Sequence, residues 1–246
     1  MTALAIKSAT KIYDQAKALD GVSLKFPDGV ITAVIGPSGC GKSTLLKLCN
    51  GLIRPDSGQV QIFGGAIDYN ALPVLRRRLG YAVQGNVLFP HLTARDNITL
   101  LARLEGWTRE KIDHRVQELL TLSQLQAEQL DRYPHQLSGG QQQRVGLCRA
   151  MILRPEILLL DEPFGAIDPI TREDIQQQLL ALQGAEPRTS VLVTHDMREA
   201  LILAEHIVVM GEGRILHSAS KVELLRNHQK EDAQALLREL LVAEDA

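Results

Sequence analysis

Four short runs of almost unbroken apolar residues punctuate the chain: Val30-Ile31-Thr32-Ala33-Val34-Ile35, Ile157-Leu158-Leu159-Leu160, Ser190-Val191-Leu192-Val193-Thr194 and Ile207-Val208-Val209-Met210. A strand without polar alternation is buried on both faces, the pattern of a parallel sheet covered by helices. Helical stretches separate the runs, one of them over roughly Lys42 to Cys49. The repeated order of strand, loop and helix predicts the α/β class. Gln59-Val60-Gln61-Ile62-Phe63 alternates instead, as a half-exposed antiparallel strand does. Val22-Ser23-Leu24-Lys25-Phe26, the turn Pro27-Asp28-Gly29 and the run from Val30 read as a hairpin. An antiparallel β layer beside a mostly parallel core is therefore expected.

From about Thr93 to Tyr133 the pattern is helical. Thr108 is a plausible cap, and Ile112, Val116, Leu119 and Leu120 fall on one face of the helix that follows. The expected organisation is one domain over 1–246. Residues 1–90 and 155–220 form the α/β core with its β layer, 91–154 an inserted helical subdomain, and 221–246 a helical tail. In the tail Leu224, Leu225, Leu236, Leu237, Leu240 and Leu241 form an apolar stripe. A helix packed on its own domain explains that stripe more simply than a docking surface.

The 246 residues suffice for one sizeable core. A content of 45% hydrophobic and 23% charged residues excludes a disordered chain. A net charge of -2 without a basic stripe argues against direct nucleic-acid binding. Cys40, Cys49 and Cys148 form no CxxC pair, which argues against structural zinc and fits a reducing compartment. The N-terminus lacks the apolar core of a signal peptide, and no apolar run approaches the roughly 20 residues of a membrane span. The expected location is the cytosol, with any membrane role supplied by a partner.

The strongest chemical signal is Gly36-Pro37-Ser38-Gly39-Cys40-Gly41-Lys42-Ser43-Thr44, a P-loop between a buried strand and a helix. Glycines let backbone N–H groups crowd a phosphate, and the helix start adds its positive dipole end. Lys42 is placed to reach the β- and γ-phosphates of ATP, and Ser43 to bind Mg²⁺. A Gly-rich turn that merely links strand to helix is the bland alternative. Asp161-Glu162 closes a buried strand at its carboxyl end, where open α/β sheets bind ligands. Asp161 suits Mg²⁺ and Glu162 suits polarising a water; a helix-capping acid pair is the alternative. Ser138-Gly139-Gly140-Gln141 opens a helix with a hydroxyl and free amides, a second anion site or simply a capped helix.

Together these three motifs resemble the ABC ATPases, over roughly residues 3 to 220. The resemblance implies a P-loop NTPase fold, ATP and Mg²⁺ as cofactors, and ATP hydrolysis coupled to transport. It implies that Tyr13 stacks on adenine and that Gln84 links Mg²⁺ and the water to a transmembrane partner. It further implies that Asp168 signals between paired subunits and that His195 contacts the γ-phosphate. Two copies would assemble head to tail, each ATP lying between one P-loop and the partner's Ser138-Gly139-Gly140. Gly165 stands where many relatives carry Ser, and Gly146 and Cys148 fill positions that are usually small.

The segments 164–172 and 88–93 look like bacterial importers of quaternary amines such as glycine betaine and choline. Residues 88–93 would line a groove for the permease. The implied partners are a second copy, transmembrane permease subunits and a periplasmic or lipid-anchored substrate-binding protein, at the cytoplasmic face of a bacterial inner membrane. The alternatives are an importer of another small solute, a soluble ABC ATPase in DNA repair, translation or cofactor assembly, and a module that binds ATP without hydrolysing it.

Overall fold

The computed structural model describes residues 2–83, 88–165 and 168–228. The chain opens with β1 (Leu4–Tyr13) and β2 (Ala16–Phe26), then β3 (Ile31–Ile35), α1 (Lys42–Cys49), β4 (Ser57–Ile62) and β5 (Gly65–Ala66). Next come α2 (Leu72–Arg76), β6 (Leu79–Ala82), α3 (Ala94–Leu104), α4 (Arg109–Ser123) and α5 (Gly139–Met151). It continues through β7 (Ile157–Asp161), α6 (Pro169–Ala185), β8 (Thr189–Thr194), α7 (Met197–Leu203), β9 (His206–Gly211), β10 (Arg214–Ser220) and α8 (Lys221–His228).

The strands form two sheets. One is antiparallel, in the order β2-β1-β4-β5. The other runs β10-β9-β3-β8-β7-β6, parallel from β9 to β6, with β10 antiparallel on its edge. All five residues of β3 and of β7 are buried, as runs without alternation require. Their side chains divide by period two. Val34, Ile157, Leu159, Val191 and Val208 pack with α1 and the antiparallel sheet. Ile35, Leu158, Leu160, Leu192 and Val209 pack with the helices on the opposite face. The expected α/β class and antiparallel layer are both present.

The expected hairpin across Pro27-Asp28-Gly29 is not. β2 pairs with β1, while β3 lies between β8 and β9 in the other sheet. The burial pattern gives the reason. In β2 Val22, Leu24 and Phe26 are buried while Ser23 and Lys25 are exposed, so this strand covers one face only. The fully buried β3 must sit inside a sheet covered on both sides. The turn therefore carries the chain from one sheet to the other. Helices α3 and α4 begin at Thr93 and Thr108, whose side chains accept from Asp96 N and Lys111 N. In α8, Leu224 is buried; Leu236, Leu237, Leu240 and Leu241 lie outside the described residues.

Candidate active site

The P-loop leaves the carboxyl end of β3 and enters α1, whose first turn reaches across β8 to the end of β7. Two glycines are fixed by sterics. A Cβ on Gly36 would lie 2.2 Å from the Met210 carbonyl oxygen, and one on Gly41, at φ +104°, would lie 2.4 Å from that of Ala18. The loop bounds an open cleft of about 320 Å³, lined by Ala18, Ser38, Gly39, Gly41, Lys42, Ser43, Thr44 and Glu162. Lys42 is buried, and its Nζ donates to the carbonyls of Gly36 and Pro37, each at 2.9 Å, with the Cys40 sulfur at 3.9 Å. All three cysteines are buried thiols.

Across the cleft, Ser43 Oγ donates to Asp161 Oδ1 at 3.1 Å. Burial pushes the Asp161 carboxyl above its usual range and the adjacent Glu162 charge adds to this, while the Ser43 bond and the charges of Lys47 and Lys42 act the other way. A buried carboxylate next to a hydroxyl and a second acid favours a hard cation, so these oxygens fit Mg²⁺. Burial and the neighbouring Asp161 also push the Tyr81 phenol up to about 12.

Glu162 has φ +44°, a left-handed conformation unusual outside glycine. Its backbone N–H donates to the Val193 carbonyl at 2.9 Å, which pins the residue to β8. Oε1 of Glu162 then lies 3.5 Å from His195 Nδ1, on the loop that follows β8. Two residues far apart in sequence thus meet at the edge of the cleft.

The remaining expected site residues lie elsewhere. Tyr13 is at the tip of the β1–β2 hairpin, half-exposed, with Lys11 Nζ 5.4 Å from its ring centre. It is not among the residues that line the cleft. Asp168 caps α6 by accepting from Thr171 N at 3.0 Å, and that bond holds its carboxyl below the usual range. Gln84 lies outside the described residues.

Ser138 caps α5, accepting from Gln141 N at 3.3 Å while Gln141 Oε1 accepts from Ser138 N at 3.0 Å. Gly140 is buried, and a Cβ there would lie 2.3 Å from Thr171 Cγ2. No residue of 138–141 lines the P-loop cleft of its own chain. The sequence reading missed Ala18 and Tyr81. An alanine in an alternating strand and a tyrosine in an apolar one carry no local mark of a site.

A groove of about 430 Å³ lies between β6 and α3, lined by Leu79, Tyr81, Val83, Phe89, Leu100, Leu101 and Arg149 among others. Buried Asn97 fixes its rim, accepting from Phe89 N at 2.8 Å and donating to the carbonyls of Phe89, Leu92 and Thr93. Phe89 remains half-exposed. No described helix is long and apolar enough to cross a membrane.

The profile of the ABC transporter family matches residues 19–165. The glycine betaine uptake system ATP-binding protein YehX of Escherichia coli (strain K12) is 46% identical over 218 residues, 88% of this chain and 70% of that protein. The glycine betaine/carnitine/choline transport ATP-binding protein OpuCA of Bacillus subtilis (strain 168) is 45% identical over 93% of this chain and 60% of its own length. The chain thus spans between 60% and 70% of these two relatives. Among solved structures, the dimeric post-hydrolysis state of the ATP-binding cassette MJ0796, bound to ADP and phosphate, superposes with a TM-score of 0.80. It is 33% identical and matched over 89% of this chain and 98% of that one.

Proposed function

The chain belongs to the ABC transporter family as an ATPase cassette, and from that premise we propose that it energises a membrane importer of quaternary amines such as glycine betaine or choline. The observation that carries the reading is the single cleft in which Lys42, Ser43 and Glu162 meet. Backbone amides of the loop and the start of α1 receive the phosphates of ATP. Lys42 exchanges the carbonyls of Gly36 and Pro37 for phosphate oxygens, a stronger, charge-assisted partner. Magnesium, held by Ser43 and Asp161 and by Gln84, would neutralise charge on the β- and γ-phosphates. Glu162 accepts the proton of the attacking water, and His195 steadies the γ-phosphate. Tyr13 supplies a platform for adenine.

A second copy completes the site. Ser138, Gly139, Gly140 and Gln141 lie away from the chain's own cleft, so an anion held by both motifs has to bridge two chains. Asp168, at the start of α6, faces that joint. ATP then binds the paired state better than the open one, and hydrolysis reverses the preference. The apolar groove at Phe89 receives the permease, which passes the opening on to a substrate delivered by a binding protein. The complex works at the cytoplasmic face of the membrane. The test is isolation from native membranes. The protein should copurify with a permease and hydrolyse ATP only with Mg²⁺. Recovery solely as a soluble protein, with no membrane partner, would overturn the import reading.

A further inference from the structure

His195 sits in the short link between β8, which ends at Thr194, and α7, which starts at Met197. Its side chain is 63% exposed and its contact to Glu162 is 3.5 Å long, so packing does not hold the ring. The loop backbone has to. Thr194 Oγ1, just before the histidine, bonds to two residues that follow it. It accepts from Asp196 N at 3.1 Å and donates to Glu199 Oε2. Asp196 in turn caps α7, with Oδ1 accepting from Arg198 N at 2.8 Å. Glu199 has only 8% of its side chain exposed, and a carboxylate so placed is costly unless paired.

The partner comes from another element. Arg172 Nη1 lies 3.9 Å from Glu199 Oε1 and 3.8 Å from Asp196 Oδ2. Arg172 is in the first turn of α6, and its N–H donates to the Asp168 carbonyl at 3.0 Å. A continuous chain of bonds and charges therefore runs from the cap of α6 through Arg172 to Asp196 and Glu199, the two acids that follow His195.

We infer that Glu199 is a positioning residue for His195, and that Arg172 couples this position to the start of α6, where the second copy is met. This rests on the ATPase reading above. The hydroxyl of Thr194 is oriented by Glu199, and that orientation fixes the Asp196 amide and the turn that aims the imidazole. A shift of α6 on pairing would move Arg172, and with it the acids that hold the loop.

The test is a kinetic cycle on the full-length protein with MgATP. Glu199→Ala should lower kcat on the order of 10- to 100-fold, the cost of misplacing a reacting group by about an ångström. KM for ATP should stay within about threefold, since the P-loop is untouched. Glu199→Gln keeps an acceptor for Thr194 and should recover most of the loss. In a His195→Ala background Glu199→Ala should add nothing, because both changes act through one side chain. An equal cost in both backgrounds, or a KM rise as large as the kcat loss, overturns the inference. Should Glu199→Ala not fold, the same cycle with Arg172→Met decides. Loss of turnover in Lys42→Ala within the same assay reports on the ATPase reading separately, so additive behaviour removes the positioning role alone.

Discussion

Replacing Glu186 with Gln strips the buried Arg115 guanidinium of its main counter-charge. Arg115, on α4, is 2% exposed and donates through Nη2 to Glu186 Oε2 at 2.9 Å and to the Met151 carbonyl at 2.8 Å. Arg188 Nη2 reaches Glu186 at 2.7 Å, and Arg154 also pairs with it. One carboxylate thus joins α4, the turn after α5 and the link between α6 and β8. Removing one partner of a buried pair costs about 3–5 kcal/mol. Glu118 Oε2 stays 3.0 Å from Arg115 Nη1 and Glu186 keeps 18% of its side chain in water, so the low end, about 3 kcal/mol, is the upper bound. For a chain of this length that lowers Tm by roughly 6–12 °C.

The pH dependence has a definite sign. Burial alone would raise the Glu186 carboxyl, but hydrogen bonds from Arg115 and Arg188 and the charges of Arg115 and Arg154 overcome it, holding the group at about 2 against an ordinary 4.5. A depressed folded-state value stabilises above the unfolded one and loses that contribution as pH falls from about 4.5 towards about 2. The gap in denaturant stability between wild type and Glu186→Gln should be full at pH 7 and smaller at pH 3. A gap below about 1 kcal/mol at pH 7 would make Glu186 no more than an ordinary surface partner and overturn this prediction. A gap of the same size at both pH values would overturn it too.

Lys42→Ala should weaken ATP binding itself by deleting a charge-assisted contact to phosphate, and a titration that returns the wild-type affinity would contradict this. Gly41→Ala places a Cβ 2.4 Å from the Ala18 carbonyl oxygen at φ +104°, so the loop must distort. Saturable ATP binding should be lost in calorimetry, and unchanged binding would remove that constraint.

The P-loop, the Asp161-Glu162 pair and the buried strands were legible because each is a local pattern with its own physics. A glycine spacing names a phosphate cradle, and an unbroken apolar run names a covered strand. Chemistry assembled across the sheet was not legible. The approach of His195 to Glu162 depends on β8 lying beside β7, with the Glu162 amide bonded to Val193. The sheet switch at Pro27-Asp28-Gly29 leaves no mark in the sequence, because a turn looks alike within a hairpin and between layers. Arg115 reads as one more charge on a helix surface, yet it is buried, with partners 36 and 71 residues away. Asp168 caps α6 through Thr171 N, a role its place before Pro169 does not announce.

In the proposed cycle two chains close on ATP, and Glu162 then drives its hydrolysis. The most direct measurement is sizing of Glu162→Gln with and without MgATP, alongside its turnover. The variant should dimerise only when ATP is present, retain nucleotide and turn over slower by roughly 10²–10⁴. A chain that stays monomeric with ATP bound, or a variant that hydrolyses at the wild-type rate, would contradict it.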